Sequence, residues 1–206
     1  MLIEFLVEEE SAEAALSTLV PAIIGDKIPF KIRVFQGKKN LLSRLPERLR
    51  AYRCYLPSDT YIVVLLDADQ QNCTELKERL EKMARDAGFT TRSSRIQRER
   101  FQVVNRLAIE ELEAWYFGDI QALCKVYPKL PANLHKKKRY RNPDTIQGGT
   151  WETLEKILQR AGYYQNGMPK IEVARLVSRY MQPEYNTSHS FQRFRDTLKE
   201  IAAWIE

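Results

Sequence analysis

The sequence predicts an α/β fold: a mostly parallel sheet flanked by helices, with a helical extension at its C-terminal end. Three observations predict it. Tyr61-Ile62-Val63-Val64-Leu65-Leu66 is an unbroken apolar run, the pattern of a strand buried on both faces. Apolar strand-like runs and helix-periodic stretches alternate through about residue 120, which implies βαβ units. Beyond that point the pattern is helical and loop-like. The expected division is an α/β domain over residues 1–120 and a basic helical extension over 121–206, packed on it.

Leu2–Val7 is the first expected strand, and Glu8-Glu9-Glu10-Ser11-Ala12-Glu13 follows it. A helix over about 11–24 carries Ala15, Leu16, Leu19, Val20 and Ile23 on one face; Ser11 suits its N-cap and Glu13 its first turn. Phe30–Phe35 alternates apolar and basic residues, as a strand with one polar face. Leu41, Leu42, Leu45 and Leu49 recur at helical spacing. The central strand is 61–66. A further helix through Leu76, Leu80, Met83, Ala84 and Ala87 stops at Gly88. Phe89-Thr90-Thr91 begins a strand or extended segment, and Val103–Ile109 is a strand candidate leading into a helix through Leu112, Trp115 and Tyr116. In the extension, Thr150 suits the N-cap of a helix over Trp151–Ala161. Pro169 suits the first turn of a helix to about Met181. Ser190 starts a last helix with Phe191, Phe194, Leu198, Ile201 and Ile205 on one face.

Chemistry concentrates at the expected strand ends. Asp67 and Asp69 follow the central strand, where open α/β sheets bind ligands. Alternate residues of an extended chain share a face. Two carboxylates ~4 Å apart repel by roughly 4 kcal/mol at an effective dielectric near 20. A divalent cation turns that repulsion into binding, and oxygen donors suit Mg²⁺ or Mn²⁺. The plainer alternative has Asp67 capping the next helix and Asp69 facing water. Glu8 and Glu9 repeat the pattern after the first strand, and helix capping accounts for Ser11 and Glu13 but not for these two. Glu110, Glu111, Glu113 and Asp119 form a second acidic group. Either its glutamates face water while Leu112, Trp115 and Tyr116 face the core, or Glu110 ends the strand beside Asp67 and shares a helical face with Glu113.

Net charge is +6 and uneven. Residues 1–90 hold 13 Lys/Arg against 14 Asp/Glu, and residues 91–206 hold 20 against 13. Lys136-Lys137-Lys138-Arg139-Tyr140-Arg141 is the densest basic run, suited to phosphate contacts or simply solvated. Arg92, Arg95, Arg98 and Arg100 form a weaker candidate group. No apolar stretch reaches the ~20 residues of a membrane span, and the start lacks the pattern of a signal peptide. Three cysteines without C-x-x-C spacing and two histidines argue against structural zinc. A cytoplasmic protein with reduced thiols is expected. His135 and His189 read as surface residues.

The assembled strings resemble a bacterial family, domain of unknown function 4276. They are Val7-Glu8-Glu9-Glu10-Ser11-Ala12-Glu13, Phe35-Gln36-Gly37-Lys38, Val64-Leu65-Leu66-Asp67-Ala68-Asp69, Ala108 through Asp119, Lys138 through Asp144, and Gly148-Gly149-Thr150-Trp151-Glu152. The resemblance runs nearly end to end. It implies a Toprim-like fold related to the nuclease half of overcoming-lysogenization-defect nucleases, often encoded beside an ATPase in a setting of phage defence. Toprim proteins place Glu-Gly after the first strand, and the overcoming-lysogenization-defect type adds a glutamate four residues after the first. Glu9 and Glu13 have that spacing, but Glu10 stands where glycine would; by hydrophobic pattern Glu8 is the better strand-end residue, so Glu8 and Glu9 compete.

The site expected from all this has Glu8, Glu9, Asp67 and Asp69 as catalytic carboxylates. Glu13, Glu110 and Glu113 are added as metal ligands, and Lys38, Lys136, Lys137, Lys138, Arg139 and Arg141 as phosphate-binding residues. Two function classes fit: a Mg²⁺- or Mn²⁺-dependent nuclease acting on DNA or RNA with an ATPase partner, or a non-catalytic Toprim-like scaffold that docks the ATPase, through side chains such as Trp151, Tyr163, Tyr164 and Phe191. Either is compatible with an oligomer.

Overall fold

The computed structural model describes residues 1–96 and 99–204. Arg98 and Ile205 lie outside the described residues.

Four strands form one parallel sheet: β1 (Leu2–Val7), β2 (Phe30–Val34), β3 (Thr60–Asp67) and β4 (Val103–Ala108), in the order β2-β1-β3-β4. Helices α1 (Glu10–Ile24), α2 (Lys38–Tyr55) and α3 (Cys73–Asp86) connect them. The register sets Val7 beside Leu65 and Asp67 beside Ala108, so β1, β3 and β4 discharge their chains at one end. Sheet alternation divides the core. Ile3, Phe5, Val7, Tyr61, Val63, Leu65 and Val104 pack on one side with α1 and the C-terminal helices. Leu6, Ile62, Val64, Leu66 and Val103 pack on the other with α2 and α3. Each fully buried aliphatic contributes ~1.5–3 kcal/mol, and six consecutive buried positions, Tyr61–Leu66, make β3 the anchor of the sheet.

After β4 come α4 (Glu113–Phe117) and α5 (Ile120–Val126), and the extension goes on with α6 (Thr150–Arg160), α7 (Lys170–Ser178) and α8 (His189–Ala202). Helix α7 lies along α1, and α8 covers α1 and β4. The whole is the mixed α/β, all-parallel architecture with C-terminal helices that the sequence predicts, and it is consistent with a Toprim-like fold. Among the described residues no helix is long and apolar enough to cross a membrane.

Several local expectations change. Helix α1 starts at Glu10 with Glu9 at the N-cap, so Ser11 is a buried helical residue and not the cap. Thr91 makes only an isolated bridge to Val103, so 89–91 is an extended segment and not a strand. Strand β4 stops at Ala108, and Glu110 occupies a left-handed bend at φ 60 before α4 begins at Glu113. Glu110 therefore neither ends the strand nor shares a helix with Glu113. Thr150 is the first residue of α6, not its cap. The cap of α8 is Ser188, whose side chain accepts from the Phe191 N–H. Phe191 is fully buried, which removes it from any docking surface.

Two of the resemblance strings hold the extension in place. Both Asp144 oxygens are engaged at the start of α8: Oδ1 accepts from the Ser188 and Ser190 hydroxyls at 2.8 and 2.9 Å, and Oδ2 from the Ser190 N–H at 3.1 Å. Trp115 Nε1 donates to Ser190 Oγ at 3.0 Å, and Asn186 Nδ2 to the Trp115 carbonyl at 2.8 Å. A Cβ on Gly118 would stand 2.9 Å from the Ser188 backbone nitrogen, so this knot closes only around glycine. Tyr140 stacks on Phe117 with centroids 5.6 Å apart.

Candidate functional site

The strand exits gather carboxylates from three connections. Asp67 ends β3 and Asp69 follows in a bend at φ 49, tied to β4's exit by its N–H donating to the Glu110 carbonyl at 2.6 Å. Glu8 follows β1, Glu9 caps α1, and Glu110, Glu111 and Glu113 follow β4. Asp67 lies between two sub-clusters.

One sub-cluster holds Glu8, Lys38 and Asp69. Gly37, at φ 85, turns the chain into α2, so the first helical residue, Lys38, is presented to the site. Lys38 Nζ pairs with Asp69, and the Lys38 backbone and charge both favour the ionised form of Glu8. Glu8 Oε2 is buried without a partner among the described residues. Burial raises the Glu8 pKa; the Lys38 charge opposes that shift and the Asp69 charge adds to it.

The other holds Glu9, Glu111, Glu113 and Lys170. Glu113 is 3% exposed; burial raises its pKa to about 7 although the Lys170 charge pulls it down. Lys170 Nζ lies 3.9 Å from Glu9 Oε2 and 4.7 Å from the centroid of the Trp151 ring. Its pKa is raised: burial lowers it, but Glu113, Glu9, Glu111 and Asp67 together prevail. Glu111 has a local task. Its Oε2 accepts from Thr150 Oγ1 at 3.1 Å and from the Trp151 N–H at 2.8 Å, so it caps α6 from outside.

Asp67 has the least compensated charge. It is only partly exposed at the mouth of the cluster, and its pKa is pushed well up by burial and by Glu113, Glu8, Asp69 and Glu111. The Tyr116 hydroxyl is buried without a partner among the described residues, with its pKa raised by burial and by Glu113 and Asp67.

Of the expected acidic residues, the structure brings Glu8, Asp67, Asp69 and Glu113 together, with Glu9 and Glu110 at the rim. Glu110 is half-buried, its pKa raised by burial, Glu111 and Asp69. Glu13 is elsewhere, in a depression lined by Ser17, Ile171, Arg175 and Arg179. Asp119 is structural: it caps α5 and accepts from the Gln182 N–H at 2.7 Å. Lys38 lies inside the acidic site, paired with Asp69, and away from the 136–141 run. Lys136, Lys137, Lys138, Arg139 and Arg141 are all exposed, and Arg139 reaches Thr153, one turn along the helix that Glu111 caps, at 3.5 Å. Arg92 and Arg95 both bond Glu200 and are used internally.

These residues lie within one family. The chain belongs to the family described as domain of unknown function, DUF4276. The match covers residues 7–199, from the last residue of β1 into α8. No curated protein and no solved structure matches the chain.

Sequence reasoning missed two members of the site and the task of a third. Lys170 had one signal: a cation in the first turn of a helix opposes the macrodipole and needs a carboxylate nearby. Tyr116 reads as a core aromatic by periodicity. Glu111 was noticed, but its partner helix was not.

The donor chemistry suits a hard divalent cation: all oxygens, several carboxylates and one buried orphan oxygen on Glu8. Spacing is a separate matter. As the side chains stand, no group of three His, Cys, Asp or Glu among the described residues is placed to hold a metal ion, and Lys38 and Lys170 supply the positive charge.

Proposed function

We propose that this protein is a Mg²⁺- or Mn²⁺-dependent phosphodiesterase of Toprim type, a nuclease working with an ATPase partner in bacterial phage defence. The observation that supports it most is Asp67, a strand-end carboxylate whose strongest charged neighbours are four other carboxylates. Folding tolerates that repulsion at a site where charge is needed for something other than packing. The ATPase and the defence setting rest on the family resemblance alone.

Asp67, Asp69 and Glu8 would hold the ion, with Glu9, Glu110 and Glu113 completing or orienting the set. When bound, Mg²⁺ or Mn²⁺ supplies Lewis-acid polarisation of a phosphoryl oxygen and a more acidic attacking water. Lys38 Nζ leaves Asp69 in this reading and steadies a non-bridging phosphate oxygen. Glu113, titrating at about 7, is suited to take a proton at its carboxylate near neutral pH. Tyr116 stays neutral and donates from its hydroxyl.

A second reading has its own support. Lys38 and Lys170 already neutralise part of the cluster, as a scaffold without metal requires. Titration calorimetry with Mn²⁺ separates the two. Saturable binding to wild type, at least tenfold weaker in Asp67→Ala/Asp69→Ala and accompanied by Mn²⁺-dependent nicking of DNA or RNA, is the nuclease outcome. Equal heats from both proteins would transfer the protein to the scaffold class.

A further inference from the structure

The acidic site is not the one charged concavity of this fold. Strand β4 is an edge strand, and its C-terminal half forms the floor of a cavity of about 670 Å³ between α3 and α8. Thr74 and Lys77 line it from α3, Asn105 and Arg106 from β4, and His189 and Arg193 from α8. That volume is in the range of small-ligand sites.

The charges in it are unbalanced. Lys77, Arg106 and Arg193 line the cavity with one carboxylate, Asp144; Lys77 is paired with Glu81, which leaves Arg106 and Arg193 as the cations without a salt bridge among the described residues. Both Asp144 oxygens are already taken by the serines at the start of α8. Arg106 has no carboxylate partner among the described residues. Its Nε donates to Thr197 Oγ1 at 2.9 Å and one Nη2 hydrogen goes to the same oxygen, while the rest of its five N–H donors have no acceptor among the described residues. Burial, then the charges of Arg92 and Arg193, lower the Arg106 pKa to about 10. A guanidinium destabilised by like charges calls for an anion. Asn105 is fully buried beneath the cavity floor, and its Oδ1 has no partner among the described residues. The helix N-termini add little, because Asn72 and Ser188 already cap them.

An added peptide strand fits less well. Lys77 Nζ donates to the outward Asn105 carbonyl at 2.6 Å, which blocks the edge as edge lysines do. Arginine forks suit a group that carries several anionic oxygens. We propose that the cavity between α3 and α8 is a binding site for a phosphate-bearing ligand, either a nucleotide or a terminal phosphate of an oligonucleotide. The proposal does not need the acidic site to hold metal, so the two stand or fall separately.

The test is titration calorimetry of the full chain, in chelator and at constant ionic strength, with pyrophosphate, adenosine monophosphate, a 5′-phosphorylated oligothymidylate and malonate. At least one phosphate ligand should bind saturably at one site, more tightly than malonate. Arg193→Glu, at an exposed position where folding is safe, should weaken it at least tenfold. Arg106→Gln, checked for folding by circular dichroism, should do the same. Asp67→Ala/Asp69→Ala and Lys136→Gln/Lys137→Gln/Lys138→Gln should leave the affinity within twofold. Binding of the mononucleotide assigns a nucleotide; binding of the oligonucleotide without the mononucleotide assigns a strand end. No saturable binding, equal binding of malonate, or an affinity untouched by Arg193→Glu overturns the proposal.

Discussion

Glu113 and Glu81 are the same residue at nearly the same burial, 3% and 5% exposed, yet they titrate in opposite directions. Glu81, on α3, is lowered: burial would raise it, but hydrogen bonds led by Lys77 outweigh that. Its Oε1 takes Lys77 and Asn105, the latter at 2.9 Å. Glu113 is raised to about 7 because burial and the charge of Glu111 outweigh Lys170. An orphan oxygen does not separate the two regions, since Oε2 of Glu81 lacks a partner as Oε2 of Glu8 does. The neighbours separate them. Around Glu81 they are donors; around Asp67 they are carboxylates. One region uses its buried charge to hold β4 to α3, and the other holds charge ready for something else.

Removing each charge in turn is the strongest way to break that comparison. Glu81→Gln strands Lys77 next to β4, and breaking a fully buried pair costs about 3–5 kcal/mol. Lys77 keeps 27% of its side-chain exposure, so we expect roughly 2–3 kcal/mol after allowing for screening. Asp67→Asn, which removes repulsion, should leave urea stability unchanged or higher. Should both substitutions destabilise alike, the two regions do not differ in kind.

The pH dependence should differ in sign as well. Glu113 has a folded pKa of about 7 against an ordinary 4.5, so between those values the native state binds more protons than the unfolded one. Its contribution is fully present below about pH 4.5 and is lost as pH rises through about 7, amounting to roughly 3 kcal/mol. Glu81, with its folded pKa depressed, contributes above its unfolded pKa and loses that contribution as pH falls through the folded one. Urea melts from pH 4.5 to 8 in chelator should show Glu113→Gln gaining on wild type as pH rises. Parallel curves would mean that Glu113 is not held protonated by this site.

How much of this was legible follows from the range of the interactions. Strand β3 was plain because an apolar run is a local signal, and Asp67 and Asp69 at its end came with it. The start of α1 was misread because Glu9 and Ser11 both fit the approach to a helix; nothing local says which residue leaves the extended region. The cap of α6 was invisible because Glu111 supplies it from 39 residues before Thr150. Lys170 was missed for the same reason: its carboxylate neighbours come from the β1–α1 and β4–α4 connections and from the end of β3. The Asp144 string read as part of a basic loop, whereas its carboxylate belongs to α8. Periodicity placed Tyr116 in the core correctly but says nothing about what its hydroxyl meets.

Glu111 sits between the two regions and sharpens where one ends. It adds negative charge to the ring around Asp67, yet it is satisfied by the first turn of α6. Glu111→Ala should cost about 1 kcal/mol, the usual loss for a cap. Glu111→Gln, which keeps an acceptor oxygen, should cost less and leave Mn²⁺ affinity within a few-fold. A large loss of metal affinity in Glu111→Gln would move this residue from helix cap to ligand.

The smallest effect is expected at Glu13, and it marks the outer limit of the cluster. The family resemblance gives Glu9 and Glu13 the spacing of paired ligands, and they stand one turn apart on α1, but their side chains have different neighbours. Glu9 lies at the N-cap of α1 beside Lys170, while Glu13, a turn further on, faces Arg175 and Arg179. A first-turn glutamate stabilises its helix by about 0.3–1 kcal/mol through the macrodipole, and exposed ion pairs add little more. Glu13→Gln should therefore lower stability by less than about 1 kcal/mol and leave Mn²⁺ affinity unchanged. Glu8→Gln should weaken the metal most of the three, because its orphan oxygen lies beside Lys38 and Asp69, and Glu9→Gln should fall between. Calorimetry on the three single variants ranks them. A ranking with Glu9 and Glu13 together above Glu8 would show that the ligand-bound protein reorganises α1 to recover the resembling family's spacing, and the cluster around Asp67 would then have to be redrawn with Glu13 inside it.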